Sequence, residues 1–176
     1  MVRIVCAGLR FLPILLATTL LMAGPVGASG ADKFFDQSLG DFGFELESAK
    51  KSGKSGLMLM FEAEGCPYCL KMRETVLNQP EVQAYFRRHF LIFSVDTLGD
   101  IEIQDTAGRS WREKSYAQEL RIRGTPTFVF IGIGGEILAR HAGATRNVAE
   151  FMQLGHFVVD GSYKTQTFSE YRQSSR

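Results

Sequence analysis

Cysteine is scarce here, three residues in 176, so the chain is no disulfide-knitted scaffold and its fold must rest on a hydrophobic core. Histidine is as rare. His89, His141 and His156 stand in no paired spacing, so a zinc site built on two cysteines would lack its other two ligands. Charge of one sign is not in excess either. The 20 Lys and Arg balance 19 Asp and Glu with no basic run or stripe, which leaves no footprint for nucleic acid or an anionic membrane surface. No internal repeat and no low-complexity segment is found. What remains is an ordinary globular composition, 45% hydrophobic and 22% charged, in about one domain's length of chain.

The first residues depart from that composition. Arg3 and Arg10 precede an acid-free apolar stretch from Phe11 to Ala23, followed by the small residues Gly24, Pro25, Val26, Gly27 and Ala28. This is the layout of an export signal, and the apolar stretch falls short of the roughly 20 residues a membrane-spanning helix needs. Cleavage after Ala28 is expected, with an uncleaved anchor facing the same compartment as the alternative. Cys6 leaves with the peptide, so the mature chain keeps Cys66 and Cys69 and one intramolecular disulfide. Export places that pair where disulfides persist, and the compact signal points to a bacterial periplasm, with a eukaryotic secretory lumen also open.

Beyond the signal, residues 29–40 read as a loose segment. Helical spacing of Phe42, Leu46 and Ala49 predicts a helix over 42–51, ended by the Ser- and Gly-rich stretch 52–56. Leu57 to Phe61 is a continuous apolar run of the kind buried in a central strand. A helix over 66–78, a second helical piece over 81–89 and a strand over 90–96 follow. Residues 97–110 read as an inserted hairpin or loop, and Ser110 with Glu113 reads as the capping box of a helix to Leu120. A strand over 128–131, a turn at Gly134 and Gly135, and a strand over 136–140 come next. Last is a helix over 147–159 capped by Thr145, then a polar, frayed tail over 165–176.

Cys66-Pro67-Tyr68-Cys69 lies between the first buried strand and the helix after it. Two cysteines spaced this way at a helix start are the smallest device that opens and closes a disulfide reversibly. Thiolate is the attacking species, so the pKa of about 8.5 must fall toward neutrality. A helix N-terminus supplies free N–H groups and the positive dipole end, and Pro67 suits the first helical position because its missing N–H is not needed there. Cys66 is therefore expected to be the nucleophile and Cys69, one turn inside, the resolving thiol. Met58, Met60, Phe90 and Phe93 read as core, and Trp111 as a packing residue.

Taken with the element order, these motifs are similar to the thioredoxin superfamily over about residues 40–164. The stretch 62–69, the insertion before Gly108 and Arg109, Arg123 to Thr127, and the final Tyr163 and Lys164 resemble exported SoxW-type thioredoxins. The resemblance implies an α/β thioredoxin fold over 41–164, with a mixed central sheet flanked by helices, and no cofactor or metal. It implies a cis peptide before Pro126, freeing the Thr125 backbone to pair with an incoming peptide, whereas read alone Pro126 merely starts a strand. The Gly143 and Ala144 loop would close the third side of that groove, with Pro67 and Tyr68 on the first.

Two departures from the family pattern stand out. Gly65 replaces the active-site tryptophan, and Met60 stands where a buried aspartate is expected, so Glu62 or Glu64 becomes the candidate proton acceptor. The resemblance implies an exported monomeric reductase of protein disulfides. Its implied electron donor is a membrane thiol transporter, and its implied client a sulfur-carrier or cytochrome-maturation protein. A disulfide-forming oxidase, or a non-catalytic binding or metal-carrier module of the same fold, fits the same motif.

Overall fold

The computed structural model describes residues 32–174, so the expected signal peptide and its cleavage point lie outside the described residues. Strand β1 (Gly56–Glu62) is buried from Gly56 to Phe61, as the apolar run requires. It pairs in parallel with β2 (Phe90–Asp96) and antiparallel with β5 (Thr127–Gly132), and β5 pairs antiparallel with β6 (Ile137–Ala142). The mixed sheet therefore runs β2-β1-β5-β6. A parallel neighbour needs a crossover, which α2 (Pro67–Met72) and α3 (Pro80–His89) provide. Between them the helix expected over 66–78 widens into a π-helical turn over Arg73–Leu77.

Side chains alternate across the sheet and define two cores. Met58, Met60, Phe128 and Phe130 face α2, α3 and α5 (Val148–Val159), joined by Phe86, Phe151 and Leu154. Leu57, Leu59, Phe61, Val129 and Ile131 face α1 (Phe42–Lys51) and α4 (Glu113–Glu119), joined by Phe42, Leu46 and Tyr116. Asp41 starts α1, its carboxylate accepting the Phe44 N–H at 2.9 Å.

The insertion forms a two-stranded hairpin of β3 (Glu102–Gln104) and β4 (Ser110–Arg112). Buried Asp105 organises it, accepting from the Ala107 and Arg109 N–H groups, the Arg109 guanidinium and the Trp111 indole N–H. Burial alone would raise its pKa, but these hydrogen bonds hold the carboxyl below its ordinary range.

Four expectations are corrected. Ser110 does not cap a helix, because its backbone pairs with Gln104 in the hairpin; α4 starts after Arg112, whose N–H donates to the Ser115 hydroxyl at 3.0 Å. Glu113 is no capping-box residue but is buried, and its carboxylate accepts the Asp96 N–H at 3.1 Å, tying α4 to β2. Asn147, not Thr145, caps α5 by accepting the Glu150 N–H at 3.0 Å.

The fourth concerns both ends of the domain. In the segment read as loose, Phe34 is fully buried. Asp36 hooks the outer edge of β2, its N–H donating to the Ile92 carbonyl at 2.7 Å and its carboxylate accepting the Ile92 N–H at 2.9 Å. In the segment read as a frayed tail, Phe168–Ser174 forms helix α6. Its Phe168 and Tyr171 rings each lie 5.5 Å from that of Phe157, and Arg172 pairs with Glu150. The described core thus extends past 41–164 on both sides.

Candidate redox site

Cys66 is the residue immediately before α2, with extended backbone (φ −71°, ψ 108°), and Pro67 takes the first helical position. Its sulfur caps the helix by accepting the Cys69 N–H at 3.2 Å. The two cysteines are joined as a disulfide, with Cα atoms 5.3 Å apart. Cys69 is 3% exposed and packs among Met60, Met72 and Val76, whereas Cys66 is half-buried at the surface. Gly65 adopts φ +74°, a left-handed conformation that a tryptophan would occupy only under strain.

The Thr125–Pro126 peptide bond is cis. The Thr125 carbonyl oxygen lies 3.6 Å from the Cys66 sulfur. Gly143, at φ +94°, donates its N–H to the Pro126 carbonyl at 2.8 Å, which folds the loop after β6 back toward the cysteines. Together these segments bound a cleft of about 460 Å³ lined by Tyr68, Lys71, Thr125, Gly143, Ala144, Thr145 and Arg146. Tyr68 is 63% exposed at its lip.

The two candidate carboxylates part company. Glu62 lies two residues beyond Met60 on β1, hence on the same face of the sheet as buried Met60. It accepts from Arg73 Nε at 3.0 Å and also from Arg73 Nη2 and the Ser94 hydroxyl. Arg73 lies one turn after Cys69 along the helix, and its guanidinium also sits 4.3 Å from the centre of the Phe35 ring. Glu64 is exposed in the loop before Gly65.

Sequence reasoning placed Cys66, Pro67, Tyr68, Cys69, Thr125, Pro126 and Gly143 at the site, and the fold brings all seven together. It missed Lys71, Thr145 and Arg146 in the cleft, and Arg73 as the partner of Glu62. The Arg73 signal was available, four residues after Cys69 on one helix face. His141 is set apart from this chemistry, stacked on Phe128 and edge-on to Phe168, with Nε2 buried. Among the described residues no cluster of His, Cys, Asp or Glu is arranged to hold a metal ion.

Comparisons with known proteins agree with this geometry. A thioredoxin-fold protein from Helicobacter pylori superposes with a TM-score of 0.61 at 20% identity, covering 84% of this chain and 89% of its own. A thioredoxin from Thermus thermophilus superposes at 0.55 with 30% identity, over 74% and 95%. The DsbH oxidoreductase follows at 0.50 with 20% identity, over 75% and 86%. No curated protein sequence matches. Among the described residues no helix is long and apolar enough to cross a membrane. The family model of the thioredoxin-like domain matches residues 43–158, which include both cysteines and the cis-proline loop. With that match over most of its length, and a thioredoxin oxidoreductase fold around the Cys66–Cys69 pair, the chain belongs to the thioredoxin-like domain family.

Proposed function

We propose that this protein is an exported thiol-disulfide oxidoreductase that reduces protein disulfides through Cys66 and Cys69. The observation that carries the reading is the sulfur of Cys66 standing as the cap of α2, hydrogen-bonded to the Cys69 N–H. A helix capped by sulfur favours the thiolate over the thiol, because free N–H groups and the helix dipole act on the charged form.

In the reduced protein, the Cys66 thiolate attacks one sulfur of a client disulfide. A client thiolate leaves, and a mixed disulfide joins protein and client. The Cys69 thiolate then attacks Cys66, reforming the internal disulfide and releasing the second client thiolate. Two electrons pass to the client; the Cys66 proton is released when its thiolate forms and the Cys69 proton passes to its acceptor, while the two client thiolates take up two protons from solvent. Glu62 is the better placed of the two glutamates to take the Cys69 proton, being on the buried side of the sheet. Glu64 faces solvent. The client segment lies extended against Thr125 and beside Pro126, Gly143, Pro67 and Tyr68, adding a strand at the cis-proline loop.

The resemblance to exported SoxW-type thioredoxins supports the reductase direction, with a membrane thiol transporter as electron donor and a sulfur-carrier or cytochrome-maturation protein as client. The N-terminal pattern supports cleavage of residues 1–28 and action in the periplasm.

Insulin reduction by dithiothreitol tests the activity. Acceleration by the wild type that is lost in Cys66→Ser is expected, and no acceleration by the wild type would end the enzymatic reading. A Cys69→Ala protein should hold clients as dithiothreitol-sensitive adducts, since the mixed disulfide then has no internal exit. Cys66→Ala should hold none. Direction is read from the cell: Cys66 and Cys69 mainly reduced supports the reductase, mainly oxidised the disulfide-forming oxidase.

A further inference from the structure

The cleft beside Cys66 has a one-sided electrostatic lining. Its two charged lining residues are Lys71 and Arg146, and no carboxylate lines it among the described residues. Lys71 is exposed on α2 and its ammonium has no partner among the described residues. Arg146 is oriented from beneath. Its Nε donates at 2.8 Å and its N–H at 3.0 Å to the same Glu150 oxygen, while the side chain stays 66% exposed. Both terminal nitrogens of the planar fork then have no hydrogen-bond partner among the described residues, so the fork is available to grip a carboxylate in bidentate fashion.

Glu150 does not cancel this charge at the cleft. It is 7% exposed and is shared with Arg172, so two arginines surround one carboxylate. A hydrogen-bonded carboxylate held in this way keeps Arg146 in place without presenting negative charge to an incoming chain.

Resting on the reductase reading, we propose that this cleft selects clients carrying acidic residues close to the disulfide, on one side of it. The reach follows from the geometry. Lys71 is five residues along α2 from Cys66, about 7.5 Å at the rise of an α-helix. An extended client strand advances about 3.4 Å per residue, so a side chain two or three residues from the client cysteine meets Lys71. Tyr68 at the lip supplies apolar contact between that position and the cysteine. Charges of this exposure act weakly one at a time and mainly through encounter, so the combined preference is about tenfold at low salt and fades as salt screens it.

Two disulfide-containing peptides of equal length test this. One carries paired aspartates and the other paired lysines two and three residues from the cysteine, each pair placed in turn on the N- and C-terminal side. The reduced wild-type protein should turn over the acidic peptide about ten times faster than the basic one for one placement. The ratio should fall toward one in high salt. In the double variant Lys71→Glu, Arg146→Glu the ratio should invert. Because the ratio is taken within each variant, a general loss of activity cancels out. Acidic and basic peptides reduced within twofold of each other by the wild type would overturn the proposal and leave the reductase reading standing, as would a ratio that persists in the double variant. Failure to reduce any peptide would instead remove the reductase reading and this one with it.

Discussion

The sulfur of Cys66 closes the first turn of α2, so reactivity and helix stability share one atom. The same economy is absent at His141, whose ring is held between Phe128 and Phe168 with no partner for Nε2 among the described residues. Burial lowers its pKa from 6.5, with Glu150 opposing and Arg172 assisting. The unfolded chain therefore binds this proton at higher pH than the native state does. The contribution to stability is complete above the unfolded value and is lost as pH falls below it. Thermal melts at about pH 7.5 and about pH 5 should show wild type losing more melting temperature than His141→Phe does, since phenylalanine keeps the ring contacts and removes the titration. Equal losses would show that other groups carry the acid sensitivity. Residue chemistry was legible in sequence where it is local: Cys66, Pro67 and Cys69 sit within one turn. Arg146 was not, because it reaches the cleft only when the loop after β6 lies beside Tyr68 and Lys71, 78 and 75 positions earlier in the chain, a proximity no local pattern encodes.

Elements show the same division more sharply, because one motif occurs twice with opposite outcomes. Ser110 to Glu113 and Thr167 to Glu170 both match the capping-box spacing. At Ser110 the hairpin ladder to Gln104 takes the backbone first, and the helix begins later. At Thr167 no strand competes, and the box forms, with the Thr167 N–H donating to Glu170 at 2.7 Å and the Glu170 N–H to the Thr167 hydroxyl at 3.3 Å. The strands β1, β2 and β5 were readable as apolar runs because a central sheet buried on both faces leaves no polar alternation. Helix α5 was readable from its period, but its closeness to α3 was not. A Cβ at Gly155 would stand 2.7 Å from the Tyr85 ring and 2.8 Å from that of Phe86. Helix propensity favours alanine there by about 1 kcal/mol, yet Phe86 is fully buried and cannot yield freely. Gly155→Ala should therefore destabilise, by about 1 to 3 kcal/mol in urea unfolding, despite the better helix former. A gain in stability would mean that α3 and α5 separate without cost.

At the scale of the molecule, the C-terminal helix completes a core that the sequence pattern closes at Lys164. Phe157 is 4% exposed, with the Phe168 and Tyr171 rings packed against it. Deleting residues 165–176 should lower stability on the order of 2 kcal/mol, seen as a fall in melting temperature of roughly 4 to 8 °C. It should also reduce the acid sensitivity assigned to His141, whose ring loses Phe168 and gains water. An unchanged melting temperature would return the segment to the status of a tail. The Asp36 hook has a different kind of consequence. It occupies the outward N–H and C=O of Ile92, while Glu113 takes the outward N–H of Asp96 farther along the same strand. Carboxylates thus guard the outer edge of β2 at two points. Under the proposed function the protein meets client chains with unpaired strands, and an open sheet edge would pair with them indiscriminately. With this edge guarded, the proposed function leaves the cis-proline loop, 3.6 Å from the Cys66 sulfur at the Thr125 carbonyl, as the place for a client strand to pair.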